Sequence, residues 1–172
     1  PTIAFLIALA LRLIHLWQMR DAPIFSVLMG DASSYDEWAQ RIAAGDWLGT
    51  DVFYQAPLYP YFLGAIYAVF GRDLFVVRLC QAIVGGFSCA ALSAAAQRLV
   101  SPRAGLVAGV GLAIYAPAIF FDALIQKTVL DVFFVCLAVL ILGRLVDSPN
   151  RVGVWVLLGV VLGSLCLTRE NA

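Results

Sequence analysis

Long apolar runs separated by polar breaks organise the chain. Thr2 to Trp17, extendable to Met19, is interrupted only by Arg12 and His15. A polar stretch follows from Arg20 to Ala56, then an apolar block from Pro57 to Phe70 that ends at Gly71-Arg72-Asp73. Four further runs are separated by Ser101-Pro102-Arg103, by Asp122 to Lys127 and by Asp147-Ser148-Pro149-Asn150-Arg151. A bilayer core about 30 Å thick asks for about 20 apolar residues per helical span. Residues 2–19, 74–98, 104–121, 128–146 and 152–168 are therefore predicted to cross a membrane. Block 57–70, at about 14 residues, is too short for a comfortable span and is predicted to be a re-entrant or juxtamembrane helix. The fold class that follows is an all-α polytopic bundle of about five spans, with the outer loop 20–56 carrying an amphipathic interfacial helix.

Basic residues orient the bundle. The loop around Arg98 and Arg103 and the loop from Arg144 to Arg151 carry the excess of arginine expected on the cytoplasmic side. The 20–56 loop holds Arg20 and Arg41 against six acidic residues, Asp21, Asp31, Asp36, Glu37, Asp46 and Asp51, and is expected outside. With the N-terminus inside and five crossings, this loop, the Asp122–Lys127 turn and the Thr168–Asn171 segment all fall on the outer face. Three polar clusters distant in sequence are thus expected to converge.

Composition supports a membrane protein: 63% of the 172 residues are hydrophobic and the mean hydropathy is +0.94, where a soluble domain is nearer half apolar. The formal net charge is zero, so overall charge indicates no partner. Cys80, Cys89, Cys136 and Cys166 all lie in apolar runs without a CxxC spacing and read as small buried hydrophobes. His15 stands alone in its run and reads as a packed or interfacial histidine. Gly105 and Gly109, and Gly159 and Gly163, form two GxxxG pairs, which are expected to let helices pack closely. There is no Ser/His/Asp set, no phosphate-binding glycine loop and no nucleic-acid patch. The chain starts at Pro1 and stops just after an apolar run, and it reads as a piece of a longer protein that is inactive alone.

Within the outer loop, Tyr35, Trp38, Ala39 and Ile42 recur at helical spacing, which predicts an amphipathic helix over 34–44. Ser34 and Glu37 fit a capping box, and Trp38 and Trp47 suit a membrane interface, so the helix is expected on the bilayer surface. Asp31 precedes it, and two readings stand: a helix cap or solvated loop acid, or a general base at the mouth of a membrane cavity. The string Phe53-Tyr54-Gln55-Ala56-Pro57-Leu58-Tyr59-Pro60-Tyr61 packs tyrosines and prolines at a loop-to-helix junction. Its prolines suit a helix start, and its tyrosines suit an interfacial aromatic belt.

Taken in order, Gly30-Asp31-x-x-x-Tyr35, Gln55-Ala56-Pro57-Leu58-Tyr59-Pro60, Gly71, Arg78 and Leu167-Thr168-Arg169-Glu170 resemble the N-terminal part of GT-C membrane glycosyltransferases. The resemblance is to the bacterial family that resembles dolichyl-phosphate-mannose protein mannosyltransferases and lipid A aminoarabinose transferases, and it spans nearly the whole chain. It implies transfer of a sugar from a polyprenyl-phosphate donor to a protein, lipid or glycan acceptor at the outer face of a bacterial inner membrane. It also implies that Asp31 is the catalytic carboxylate, because an acceptor hydroxyl must lose a proton as it attacks the anomeric carbon. Asp122, on the same predicted face, is a second candidate, either orienting the acceptor or helping to hold a metal. The lipid-phosphate leaving group needs a cationic clamp, for which Arg78, Lys127 and Arg169 are candidates. Lys127 and Asp131, four residues apart, also fit a local ion pair. Tyr35, Gln55 and Tyr59 sit in the motifs themselves and are expected beside the substrate. Two or more carboxylates with water can bind a divalent ion, but Gln55 stands where some relatives have an acid, and Gln126-Lys127 where many do. No ligand set for a cofactor emerges. A transporter or channel subunit, with Arg78 and Asp131 lining a pathway, and a membrane scaffold are the alternatives.

Overall fold

The computed structural model describes residues 1–49, 55–147 and 149–169. Asp51, Phe53, Tyr54, Ser148, Glu170 and Asn171 lie outside the described residues. Among those described, the chain forms helices and no strand. They are α1 (Thr2–Met19), α2 (Pro23–Ser26), α3 (Asp31–Ala43), α4 (Leu58–Phe70), α5 (Leu74–Leu99), α6 (Pro102–Ala113), α7 (Ala116–Asp122), α8 (Thr128–Asp147) and α9 (Val152–Cys166). Helices α1, α5 and α8 are each long and apolar enough to cross a membrane, and α6 with α7 makes a fourth candidate span.

Helix α5 is the axis of the bundle because its surface is small. Ala82, Gly85, Gly86, Ser88, Cys89, Ala91, Ser93 and Ala95 are all buried on it, and neighbouring backbones come close where side chains are small. Helix α1 runs antiparallel to it, with Leu16 beside Ala82 and Ala4 and Ala8 beside Cys89. Helix α6 seats Gly105 and Gly109 on α5. A Cβ at Gly105 would stand 2.7 Å from the Ser93 carbonyl oxygen. A Cβ at Gly109 would stand 2.6 Å from the Ser93 Cβ and 2.8 Å from the Ala4 Cβ. Helix α8 runs alongside α5 in the same direction, from Val129 near Val77 to Gly143 near Leu99. Helix α9 returns along α8 through Leu158 and Val161 and exposes Val152, Trp155, Val156 and Val160, as suits a lipid-facing helix.

The two GxxxG pairs part ways. Gly105 and Gly109 mark a three-helix contact, whereas Gly159 and Gly163 face open space, so the second pair does not pack. Gly109→Leu is expected to lower stability by about 2 kcal/mol through overpacking, while Gly159→Leu leaves it unchanged; thermal unfolding of the detergent-solubilised variants checks both.

Three expectations about the elements change. The 104–121 span is broken: α6 and α7 meet at a 54° bend. Pro117 carries no N–H to donate, and its ring clashes with the carbonyl four residues back. The outer-loop helix begins at Asp31 rather than Ser34, and the Ser34/Glu37 capping box does not form. Gly30 turns the chain at φ 60° just before the helix, a conformation open to glycine, so Asp31 occupies the first helical position. That helix is amphipathic, as its spacing predicts, but its apolar face meets protein rather than lipid. Tyr35, Ala39 and Ile42 are at most 1% exposed and pack with Tyr59, Leu63 and Tyr67 of α4, where Gly64 lets Ile42 and the Ala39 carbonyl approach. Helix α4, 13 residues long or about 20 Å, is in turn held against α5 and α8 through Val77, Val129 and Leu130. Together α3 and α4 cap one end of the bundle. Helix α9 ends at Cys166, and Leu167–Thr168 form the turn beyond it.

The α3–α4 cap is clamped by a carboxylate that the motifs did not single out. Asp36, buried to 4% exposure, accepts from the Tyr67 hydroxyl at 2.6 Å, from Arg72 Nη2 at 2.9 Å and from Gln40 Nε2 at 2.8 Å. The hydrogen bond and charge of Asp36 push the Arg72 guanidinium further above its ordinary range. These partners fix the start of α5 to the middle of α3 and thereby the position of Asp31.

Candidate active site

The helix directions bring the 122–127 segment, the Leu167–Arg169 turn and the α3–α4 cap to one end. Arg98, Arg103, Arg144 and Arg151 mark the other. Between α7 and α8 the backbone is not helical, and non-helical backbone at membrane depth must find polar partners inside the protein. Here α5 supplies them. Gln81 Nε2 donates to the carbonyls of Asp122 at 2.7 Å and Leu124 at 2.6 Å. Arg78 Nε donates to the Ala123 carbonyl at 2.8 Å. Three consecutive carbonyls are thereby satisfied. Arg78, 1% exposed, also stacks 3.9 Å from the centre of the Phe25 ring, which offsets part of the cost of burying its charge.

The segment so held forms one wall of a cleft of about 160 Å³. Leu124, Ile125 and Gln126 line it there, Ile24, Val27, Leu28, Met29 and Ala32 line it from the outer loop, and Arg78 lines it from α5. The cleft is mostly apolar with one guanidinium. Asp31 sits on the chain between the lining residues Met29 and Ala32. Its carboxylate is exposed and accepts from Gln55 Nε2 at 3.0 Å, although the two residues are 24 apart in sequence.

The sequence-derived candidates divide into groups. Asp31, Gln55 and Arg78 stand at or beside the cleft. Tyr35 and Tyr59 do not face it: both are buried in the α3–α4 core with rings packed edge to face at 5.1 Å, and the Tyr59 hydroxyl donates to Gln81 Oε1 at 2.6 Å. They reach the site indirectly, since Gln81 is the residue that holds the 122–124 carbonyls. Lys127 precedes α8 and is half-buried next to the lining residue Gln126. Arg169 reaches α8, where its Nε lies 2.7 Å from Asp131 Oδ2. The Arg169–Asp131 pair, with the backbone bond from Leu58 N to the Leu167 carbonyl at 3.0 Å, ties the end of α9 to the cap. Asp122 is turned into the bundle, where its Oδ2 lies 2.7 Å from Arg12 Nε, with the two side chains 6% and 3% exposed. Among the described residues no group of three or more His, Cys, Asp or Glu gathers as a metal site. Arg12, Asp36 and Gln81 were missed as site-shaping residues; for Arg12 and Gln81 the available signal was a charged or amide side chain inside an apolar run, which is costly at membrane depth and usually has a partner.

The fold and this polar end define an integral membrane protein built as a helical bundle with a capped cleft at one side. The family model for dolichyl-phosphate-mannose-protein mannosyltransferase matches residues 54–172, and the chain belongs to that family, which indicates a glycosyltransferase. Asp31 precedes the matched segment. No curated protein and no solved structure matches the chain.

Proposed function

We propose that the protein transfers a sugar from a polyprenyl-phosphate donor to an acceptor at the outer face of the membrane, with Asp31 as general base. The observation that carries the reading is the pairing of Asp31 with Gln55 beside a mostly apolar cleft into which Arg78 contributes the one charged lining group. Apolar walls suit a prenyl chain, and the guanidinium suits the phosphate that leaves with it. Lys127 and Arg169, at the same end, complete the proposed clamp. In the reaction the acceptor oxygen bonds to the anomeric carbon and the bond from that carbon to the phosphate oxygen breaks. The acceptor proton passes to Asp31, and polyprenyl phosphate departs with the bonding electrons. Gln55 donates to one carboxylate oxygen and leaves the other to receive the proton. The orientation follows the arginines: with Arg98, Arg103, Arg144 and Arg151 on the cytoplasmic side, the cleft opens outward.

The test supplies the protein in membranes with radiolabelled sugars on polyprenyl phosphate and, separately, as nucleotide sugars. Release of label from the lipid donors alone is the expected result. Turnover of nucleotide sugars without lipid, or of no lipid donor across a panel of sugars, would sink the reading.

A further inference from the structure

We propose that Arg12 is a positioning residue that sets the linker wall of the cleft through Asp122, and that Asp122 anchors this wall rather than serving as a second acid or base. The inference rests on the proposed transfer reaction for its kinetic readout but not for its geometry.

The buried pair joins α1 to the end of α7. Arg12 Nε contacts Asp122 Oδ2 at 2.7 Å and Arg12 Nη1 contacts the Ala8 carbonyl at 3.3 Å. The third helix at this point, α5, presents Gly85, and a Cβ there would collide with both Asp122 Oδ2 and Arg12 Nε. Three helices therefore meet around one ion pair for which α5 leaves room. Asp122 is also the residue at which α7 ends, and the carbonyls held by Gln81 and Arg78 begin with its own. The next residues, Leu124, Ile125 and Gln126, are the cleft wall. Asp122 is itself 5% exposed and does not line the cleft. Removing Arg12 leaves an unpaired carboxylate in a medium where an isolated charge is strongly disfavoured. The end of α7 must then shift toward water or the carboxyl must take up a proton, and the carbonyl row shifts with the loss of its anchor. Removing both charges together takes away the conflict.

Donor KM and kcat are measured for Arg12→Met, Asp122→Leu and the double variant in membranes, with labelled polyprenyl-phosphate sugar. Each single substitution is expected to raise KM about tenfold or more through misplacement of the wall. The double variant is expected to return to within about threefold of wild type, as paired replacement of a buried ion pair by apolar groups allows. A double variant with kcat as low as Asp122→Leu alone overturns the proposal and makes the Asp122 carboxylate a chemical participant. The wall is also read without turnover, by maleimide labelling of Gln126→Cys in the same backgrounds with Cys80, Cys89, Cys136 and Cys166, all free thiols, replaced by alanine. The singles are expected to change the labelling rate and the double to restore it; a rate equal in all four backgrounds overturns the proposal. If wild type transfers no sugar from lipid donors, the proposed function fails, and labelling still decides the role of Arg12.

Discussion

Asp31→Asn is expected to lower sugar transfer about a thousandfold, the range for removal of a general base, and to leave folding nearly unchanged. The asparagine oxygen can still accept from Gln55, so the local geometry persists while the proton acceptor is lost. The residue is exposed and its carboxylate meets Gln55 across an exposed contact. Apart from that bond, stability loses only the favourable interaction of a charge with the first turn of α3, about 0.5 kcal/mol. Initial rates of label loss from the lipid donor, with unfolding midpoints on the same preparations, make the comparison. Equal activity in Asp31→Asn and wild type would remove Asp31 from the mechanism. Gln55→Leu is expected to fall between the two, because the carboxylate remains but its orientation does not.

Gln81→Leu gives the largest expected loss of stability. Gln81 is fully buried and its amide works in both directions: it accepts from Tyr59 at 2.6 Å and donates to the carbonyls of Asp122 and Leu124 at 2.7 and 2.6 Å. Leucine has nearly the same size but satisfies none of the three. A buried polar group left without its partner costs about 1–3 kcal/mol, so a total of about 4 kcal/mol is expected after relaxation of the linker. Gln81→Glu retains an acceptor for Tyr59 but no donor for the carbonyls, and should be no better. Unfolding midpoints in detergent decide the matter, and a midpoint for Gln81→Leu equal to that of wild type would show that the linker is held by other means.

The run lengths of apolar residues were enough to read a membrane bundle, because a spanning helix must carry about 20 such residues whatever its neighbours. The same reasoning separated 57–70 as too short, and α4 is indeed a 13-residue helix. Parity of crossings brought the acidic loop, the Asp122–Lys127 turn and the Thr168–Asn171 segment to one end, and for the described part of each the helix directions agree. The period of Tyr35, Ala39 and Ile42 gave α3 its buried face. What that face would touch was not legible: aromatic residues at helical spacing look alike whether they meet lipid or protein, and α4 turned out to be the partner.

The candidate site shows the same division. Motif order made Asp31, Gln55 and Arg78 candidates, and the fold brings Asp31 and Gln55 into contact at a cleft that Arg78 lines. Tyr35 and Tyr59 belong to the same motifs yet lie in the core, since a motif fixes chain position but not the direction of a side chain.

By itself the sequence determined the membrane class, the approximate extent of the longer helices and the end at which polar groups gather. These depend on local composition and on the geometry of crossing a bilayer. Only the tertiary structure decided which charges pair: Arg12 with Asp122 across 110 residues, Arg169 with Asp131 across 38 and Arg72 with Asp36 across 36. Of these charges, Asp122 and Arg169 had looked available for chemistry when read along the chain. In an apolar medium an ionised group finds the nearest opposite charge that packing allows, and packing is a property of the assembled helices.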